Sequence, residues 1–341
     1  MKDKICNSLI RSWYQKPSWI TYLLLPLSKL FEMVVKIRYW VYLNRWLKVY
    51  ESNIPIIIVG NMTVGGTGKT PCVISLTQHL ITLGYKPAIV SRGYGRKKSN
   101  LMEVKAHSLA EEVGDEPLLL YHATGCPVVV AADRVSAVRY LEESSDCNVI
   151  ISDDGLQHYR MGRVIEIAII DGQREFGNGY CLPAGPLREP LPRLKEVDCI
   201  IYNGRPKKRF NHAPAFEMKI EPQQLINLLN PQQTMTLEQL AGERVLAVSG
   251  IGNPERFYLL LKYFGIKVEE YTFPDHHLYS PSDLDLPTAG DKVIITEKDA
   301  IKCQSFAHAN LWYLKIKANL SPQLITFVES RLREYLTATQ H

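Results

Sequence analysis

Between residues 56 and 204 the chain repeats one signature, a short apolar run rich in β-branched residues. The runs are IIIVG (56–60), the first part of KPAIVSRGYG (86–95), PVVVA (127–131), VIISDDG (149–155) with its paired acids, IEIAIID (165–171) and DCIIYNG (198–204). Runs of this length without alternation suit strands buried on both faces of a parallel sheet. Helically spaced stretches separate them, beginning with Pro71 to Leu83, which ends before Gly84. The rhythm of strand, helix and strand predicts a mainly parallel α/β domain over 51–204. After the basic break RPKKRF (205–210) the pattern restarts with RVLAVSG, PERFYLLLKYFG, KVEEYTF, KVIIT, LWYLKIKAN and a last helix, PQLITFVESRLREYL. A second, smaller α/β domain is therefore expected over 205–341.

The stretch before residue 50 follows another rule. WITYLLLPLSKLFEMVVKIRYWVYL (19–43) is apolar and aromatic, but Pro26, Lys29, Glu32, Lys36 and Arg38 interrupt it, which argues against a spanning helix. At 100° per residue Lys29, Glu32 and Lys36 cluster on one side, and Leu27, Leu30, Phe31, Val34 and Val35 share the other. An amphipathic helix lying in an anionic membrane interface is expected in residues 1–50, with a helix docked on the core as the alternative. No small-residue cleavage site follows the apolar stretch, so a signal peptide is not expected.

Composition changes the picture in two places. Seven cysteines, widely spaced and without a C-x-x-C, support neither a metal framework nor a disulfide framework. The net charge is +5, yet residues 1–50 hold nine Lys or Arg against two acids, so the remainder is slightly acidic. That distribution suits a membrane surface at the amino terminus and points to no nucleic acid. It singles out no protein partner.

The candidate chemistry begins where the first strand ends. In GNMTVGGTGKTP the residues Gly65, Gly66, Thr67, Gly68, Lys69 and Thr70 form a phosphate-binding loop, although Thr63 stands where G-x-x-x-x-G-K-[ST] has its first glycine. Glycines let backbone N–H groups approach phosphate at a helix start. VIISDDG ends in Asp153 and Asp154, placed to hold Mg²⁺ beside the loop threonine. Asp115 and Glu116 precede Pro117 at the start of a helix, where capping would explain one carboxylate, and a metal ligand beside a proton acceptor would explain both. Arg92 and Tyr94 in SRGYG, Arg134 after the third run, Gln157 and His158 in GLQHYR, and Arg188 and Glu189 in PAGPLRE are polar groups in turns and loops. They are candidates for facing phosphate or an anionic substrate, and equally for plain turn positions. PDHH offers His276 and His277; GIGNP reads as a helix start, and TEKDA lacks the spacing of a guanine-reading N-K-x-D loop.

Taken in order, GNMTVGGTGKTP, SRGYG, GDEPLLL, DRV, SDDGLQHYR and the run from FGNG to LPAGPLREPL resemble the tetraacyldisaccharide 4'-kinase family. The resemblance is specific over residues 53–204 and continues more weakly through FPDHH and TEKDA to about 303. It implies a fold like that of P-loop nucleotide hydrolases and ATP- and Mg²⁺-dependent phosphorylation of the 4'-hydroxyl of a tetraacylated glucosamine disaccharide 1-phosphate, a lipid A precursor. It further implies Lys69 and Thr70 on the triphosphate and Mg²⁺, Asp115 as base and Glu116 near the metal. Asp153 and Asp154 would complete the metal shell, Gln157 and His158 would line the site, and Arg134, Arg188 and Glu189 would border it. A histidine of PDHH, His276 in preference to His277, would cross the cleft on domain closure to orient the aspartate. The implied location is the cytoplasmic face of a bacterial inner membrane, held peripherally or monotopically by the amino-terminal helix.

Two other readings of the residues differ in class. GGTGKT also ends the deviant loops of membrane-positioning partition-type ATPases, but those carry a lysine before the two glycines where this chain has Val64. A basic membrane adaptor with a degenerate nucleotide fold would leave Lys69 and Asp115 dispensable.

Overall fold

The computed structural model describes residues 9–14, 17, 19–97, 99–210, 213–284 and 292–339. A 25-residue helix, α1 (Trp19–Leu43), precedes β1 (Ile56–Asn61), α2 (Lys69–Thr82) and β2 (Pro87–Ser91). Next come β3 (Met102–Glu103), α3 (Asp115–Thr124), β4 (Val128–Val130), α4 (Arg134–Ser144), β5 (Val149–Asp153), β6 (Ile165–Asp171) and β7 (Cys199–Asn203). The remainder holds β8 (Ala215–Asn227), β9 (Thr234–Met235), β10 (Arg244–Ser249), α5 (Pro254–Tyr263), β11 (Lys267–Thr272) and β12 (Lys292–Thr296). It closes with α6 (Glu297–Cys303), β13 (Leu311–Leu320) and α7 (Pro322–Thr339). The chain forms two compact units, one of Met1–Arg92, Asp133–Lys219 and Leu320–His341, the other of Gly93–Ala132 and Ile220–Asn319.

In the first unit the strands run β2, β5, β1, β6, β7 and the start of β8, all parallel. Ile57 at the centre pairs with Ile151 on one side and Ile165 on the other. Every residue of β1, β2, β5, β6 and β7 is buried, which is why these runs show no polar alternation. Helices α2 and α4 cover this sheet with Leu76, Leu80, Val138 and Leu141. Helix α7 turns Leu324, Val328 and Leu332 inward at i, i+4 and i+8.

The second unit builds its parallel sheet in the order β11, β10, β12, β13. Phe257, Tyr258 and Leu261 of α5 join Val245, Ala247 and Ile294 in one core cluster. Here β3 and β4 pair antiparallel, and α3 packs against α6. Strand β8, 13 residues long, escaped the sequence reading because its pattern is half-exposed and Pro222 interrupts it.

Helix α1 forms as expected but divides its apolar residues between two faces. Phe31 and Val35 turn toward the first unit beside the buried Thr21 and Ser28, whereas Leu23, Leu27, Leu30, Val34 and Ile37 are each more than half exposed. The packed face is partly polar and the solvent face apolar, the reverse of a helix docked by hydrophobic burial alone. Docking uses specific contacts instead. Ser28 Oγ donates to the Cys181 carbonyl at 2.7 Å, Arg38 donates to the Gln157 carbonyl at 3.2 Å, and the Tyr39 and Tyr42 rings lie 5.2 and 5.9 Å from Tyr159. Among the described residues no helix is long and apolar enough to cross a membrane.

Candidate functional site

The loop after β1 is shaped to receive an anion. Gly65 and Gly68 adopt φ near +95°, a region closed to most side chains, and α2 starts at Lys69 after Gly68, an N-cap residue that has no side chain to offer its first N–H groups. Such groups carry the positive end of the helix dipole and bind phosphate well. The loop is held on its flank by the PAGPLRE segment: Val64 N–H donates to the Pro186 carbonyl at 2.9 Å and Arg188 N–H to the Met62 carbonyl at 2.7 Å. Arg174 donates to the Gly66 carbonyl at 2.5 Å. The buried Thr67 hydroxyl has no hydrogen-bond partner among the described residues.

Lys69 donates to Asn61 Oδ1 at 3.2 Å and lies 3.7 Å from Asp154. Asp154, a non-glycine residue at φ +51°, is gripped by Arg188 through both carboxylate oxygens at 3.0 and 2.9 Å. Burial works to raise the Asp154 carboxyl, but Lys69 and Arg188 override it and hold it at about 2. Asp153 is buried beside Ser91, whose hydroxyl donates to it at 3.4 Å. Gln157 Nε2 donates to the Asn61 carbonyl at 3.1 Å and to Glu189 at 3.0 Å, and burial raises the Glu189 carboxyl despite the Arg193 charge. Lys69, Asp154, Arg188, Gln157 and Glu189 thus meet around Asn61.

At the start of α4, Asp133 caps the helix by accepting from Val135 N–H at 3.3 Å. Arg134 N–H donates to His158 Nε2 at 3.3 Å. That contact requires an unprotonated Nε2. Burial and the Arg134 charge, opposed by Asp133, lower His158 to about 4, so it is neutral at physiological pH. The Arg134 side chain, almost wholly buried, reaches the Asp153 carbonyl at 3.5 Å. Arg92 is exposed at the end of β2, and Thr70 is half-buried in the first turn of α2.

The second unit holds the other constellation. Asp115 opens α3, its carboxylate accepting from Glu116 N–H at 2.9 Å. His276 Nδ1 lies 3.0 Å from both Asp115 oxygens, whereas His277 stacks on Phe273 and lies 3.3 Å from Asp283. Tyr94 places its ring 4.9 Å from that of His276. Both halves of the Asp115–His276 pair belong to one unit and are already joined, so their pairing needs none of the closure expected from the sequence. Burial would raise the Asp115 carboxyl, but the His276 hydrogen bond and the charges of Lys298 and Lys302 bring it down to about 2. For His276 burial pulls the other way, and Asp115 prevails to raise it above its ordinary value.

Sequence reasoning passed over several residues here. Lys298 Nζ lies 3.0 Å from Glu116, 3.3 Å from Asp275 and 3.8 Å from Asp115. Lys302, nearly inaccessible, lies 4.0 Å from Asp115. Asn61 was also missed, though a polar residue closing an all-apolar buried strand was a visible signal. Among the described residues no three His, Cys, Asp or Glu side chains converge on a metal position. Thr70, Asp153 and Asp154 offer oxygen donors, the ligand type Mg²⁺ takes alongside phosphate and water.

The tetraacyldisaccharide-1-P 4'-kinase family matches residues 20–333 of the chain. A tetraacyldisaccharide 4'-kinase of Methylobacillus flagellatus is 46% identical over 333 residues, 97% of this chain and 98% of that one. One of Legionella pneumophila (strain Lens) is 47% identical over 315 residues, 91% and 93% of the two chains. Among solved structures, the "apo" form of LpxK from Aquifex aeolicus in complex with ATP aligns with a TM-score of 0.78 at 32% identity, covering 92% of this chain and 99% of that one.

Proposed function

The chain belongs to the tetraacyldisaccharide-1-P 4'-kinase family, and from that premise we propose how its own residues carry the reaction. The activity is ATP-dependent phosphorylation of the 4'-hydroxyl of a tetraacylated disaccharide 1-phosphate in lipid A biosynthesis. The GGTGKT loop and the start of α2 receive the triphosphate, with Lys69 and Arg188 supplying positive charge. Thr70, Asp153 and Asp154 would hold Mg²⁺, which when bound neutralises charge developing on the transferred phosphoryl group. Gln157, itself bound to Glu189, holds the end of β1 at the Asn61 carbonyl just before the loop. Asp115 orients the sugar hydroxyl and takes its proton late in the transfer, and His276 keeps the carboxylate in place.

The observation that carries this assignment is the Asp115–His276 pair, a buried carboxylate held by an imidazole on both oxygens. A partition-type ATPase has no small-molecule hydroxyl to deprotonate, and Val64 replaces the lysine of its loop. We place the enzyme at the cytoplasmic face of the inner membrane, held peripherally by the exposed apolar face of α1, beside which Lys29 and Lys36 are exposed and pair with Glu32 at 2.9 and 2.7 Å. In this proposal residues 1–50 face the membrane and the loop of the first unit binds ATP.

The test is whether ADP release depends on the acceptor. With Mg-ATP and the disaccharide 1-phosphate in detergent micelles, ADP should form rapidly, and omission of the disaccharide should abolish it. ADP formation at the same rate without the disaccharide would overturn the proposal.

A further inference from the structure

TEKDA and GIGNP, two motifs without a role in the chemistry above, meet behind His276. His276 is one of the few non-glycine residues with a left-handed backbone, at φ +62°. Such a conformation persists only where neighbours enforce it. Its N–H is held by the Gly250 carbonyl at 3.3 Å and by Asp275 Oδ1 at 3.1 Å. Gly250 in turn donates its N–H to Asp299 Oδ2 at 3.1 Å. A Cβ at Gly250 would lie 2.8 Å from the Tyr279 hydroxyl and 3.3 Å from Asp299 Oδ1, so the backbone there is closely walled.

Asp299 is completely buried. Its carboxylate accepts from the Thr296 hydroxyl at 2.7 Å and sits 2.8 Å from Lys302 Nζ, which in turn lies 4.9 Å from the Tyr279 ring centre. Lys302 and Lys298 also stand near Asp115, at 4.0 and 3.8 Å. One short segment therefore reaches both members of the pair, His276 through Asp299 and Gly250, and Asp115 through two lysines.

Capping of α6 explains the Thr296 contact with Asp299 N–H at 3.2 Å. It does not explain an inaccessible carboxylate that also fixes a glycine on another strand's end. We propose that residues 296–302 are the positioning element of the Asp115–His276 pair, with Thr296 and Asp299 setting the backbone of His276 and Lys298 and Lys302 setting the Asp115 carboxylate. This rests on the assignment of that pair to the kinase reaction. None of the four residues touches substrate in this account; they act through the pair.

A double-mutant cycle in the full-length enzyme tests it, with kcat and the KM for ATP measured for His276→Ala, Thr296→Val, Thr296→Ser and the double variant of Thr296→Val with His276→Ala. His276→Ala should lower kcat about 100-fold, the low end for a lost proton-transfer partner. Thr296→Val should lower kcat about tenfold through misplacement alone. Its KM for ATP should be unchanged, and Thr296→Ser should keep wild-type kcat because it retains the hydroxyl. Added to His276→Ala, Thr296→Val should cost no more than about a further twofold, since its only route of action is gone. Full multiplication of the two losses, or wild-type kcat in Thr296→Val, would overturn the inference while leaving the pair's role intact. Wild-type kcat in His276→Ala would overturn the pair's role itself. If Thr296→Val melts below the assay temperature, Thr296→Ala replaces it in the same cycle with the same expected pattern.

Discussion

Replacing Asp115 with Asn removes one charge and keeps the shape, so it isolates what that charge contributes. The Asp115 carboxyl is brought from an ordinary 3.8 down to about 2, and its side chain is only 5% exposed, so solvent screens it little. At 1.36 kcal/mol per pKa unit, this depression contributes about 2 kcal/mol to folding at neutral pH. A depressed carboxyl stabilises the fold fully above its unfolded pKa of 3.8 and loses that contribution as pH falls through its folded value of about 2. Urea unfolding at pH 7 should therefore find Asp115→Asn weaker by about 2 kcal/mol, with the gap closing as pH approaches 2. In the kinase assay the same variant should lose roughly 100- to 10,000-fold in kcat, the range for a lost general base. Its Kd for ATP should stay within about twofold of wild type, because no part of the phosphate cradle is altered. A stability gap that persists unchanged to pH 2 would refute the electrostatic account. Equal losses of turnover and ATP binding would make Asp115 a nucleotide or metal residue instead of the base.

Three further outcomes follow from the geometry. Lys69→Met removes the cation beside Asp154 and should weaken ATP binding by roughly 100-fold in calorimetry, as for loss of one preorganised charged donor, whereas unchanged affinity would move the triphosphate elsewhere. In proton NMR the two histidines should titrate on opposite sides of 6.5: His158 near 4, adding stability that is lost as pH falls below 6.5, and His276 above 6.5, adding stability that is lost as pH rises through its raised value. A His276 resonance that titrates identically in Asp115→Asn would contradict the pairing. On anionic vesicles, Leu27→Ser, Leu30→Ser and Val34→Ser should each weaken sedimentation by about 1 kcal/mol, roughly fivefold, because each side chain is about half exposed and ready to enter the interface. Undiminished sedimentation of the triple variant would remove α1 as the anchor.

The parts of this molecule legible from sequence are those whose causes lie close together along the chain. Strands β1, β5 and β6 announce themselves because burial on both faces fills them mainly with β-branched apolar residues, and the loop from Gly65 to Thr70 because its glycines and lysine are adjacent. Asp115 and His276 stand 161 positions apart, and no local pattern joins them; only resemblance to a family suggested the pair. Lys298 was visible within TEKDA and Lys302 lies two residues beyond it, but neither carried a role until the packing of α3 on α6 brought them to Asp115. The grouping of Gly93–Ala132 with the later part of the chain is likewise a matter of contacts that periodicity does not encode. Helix α1 was readable as amphipathic, but which of its apolar residues face the protein depended on the partners Cys181, Gln157 and Tyr159, all more than 100 residues away.

The central claim is that one phosphate passes from ATP to one hydroxyl, and the position of that phosphate on the product tests it most directly. Phosphorus–proton correlation NMR of the purified product should show a new phosphomonoester coupled to H4 of the distal glucosamine, with the original 1-phosphate intact. Inorganic phosphate as the sole new phosphorus signal, or a phosphomonoester coupled to any other sugar proton, would contradict the account.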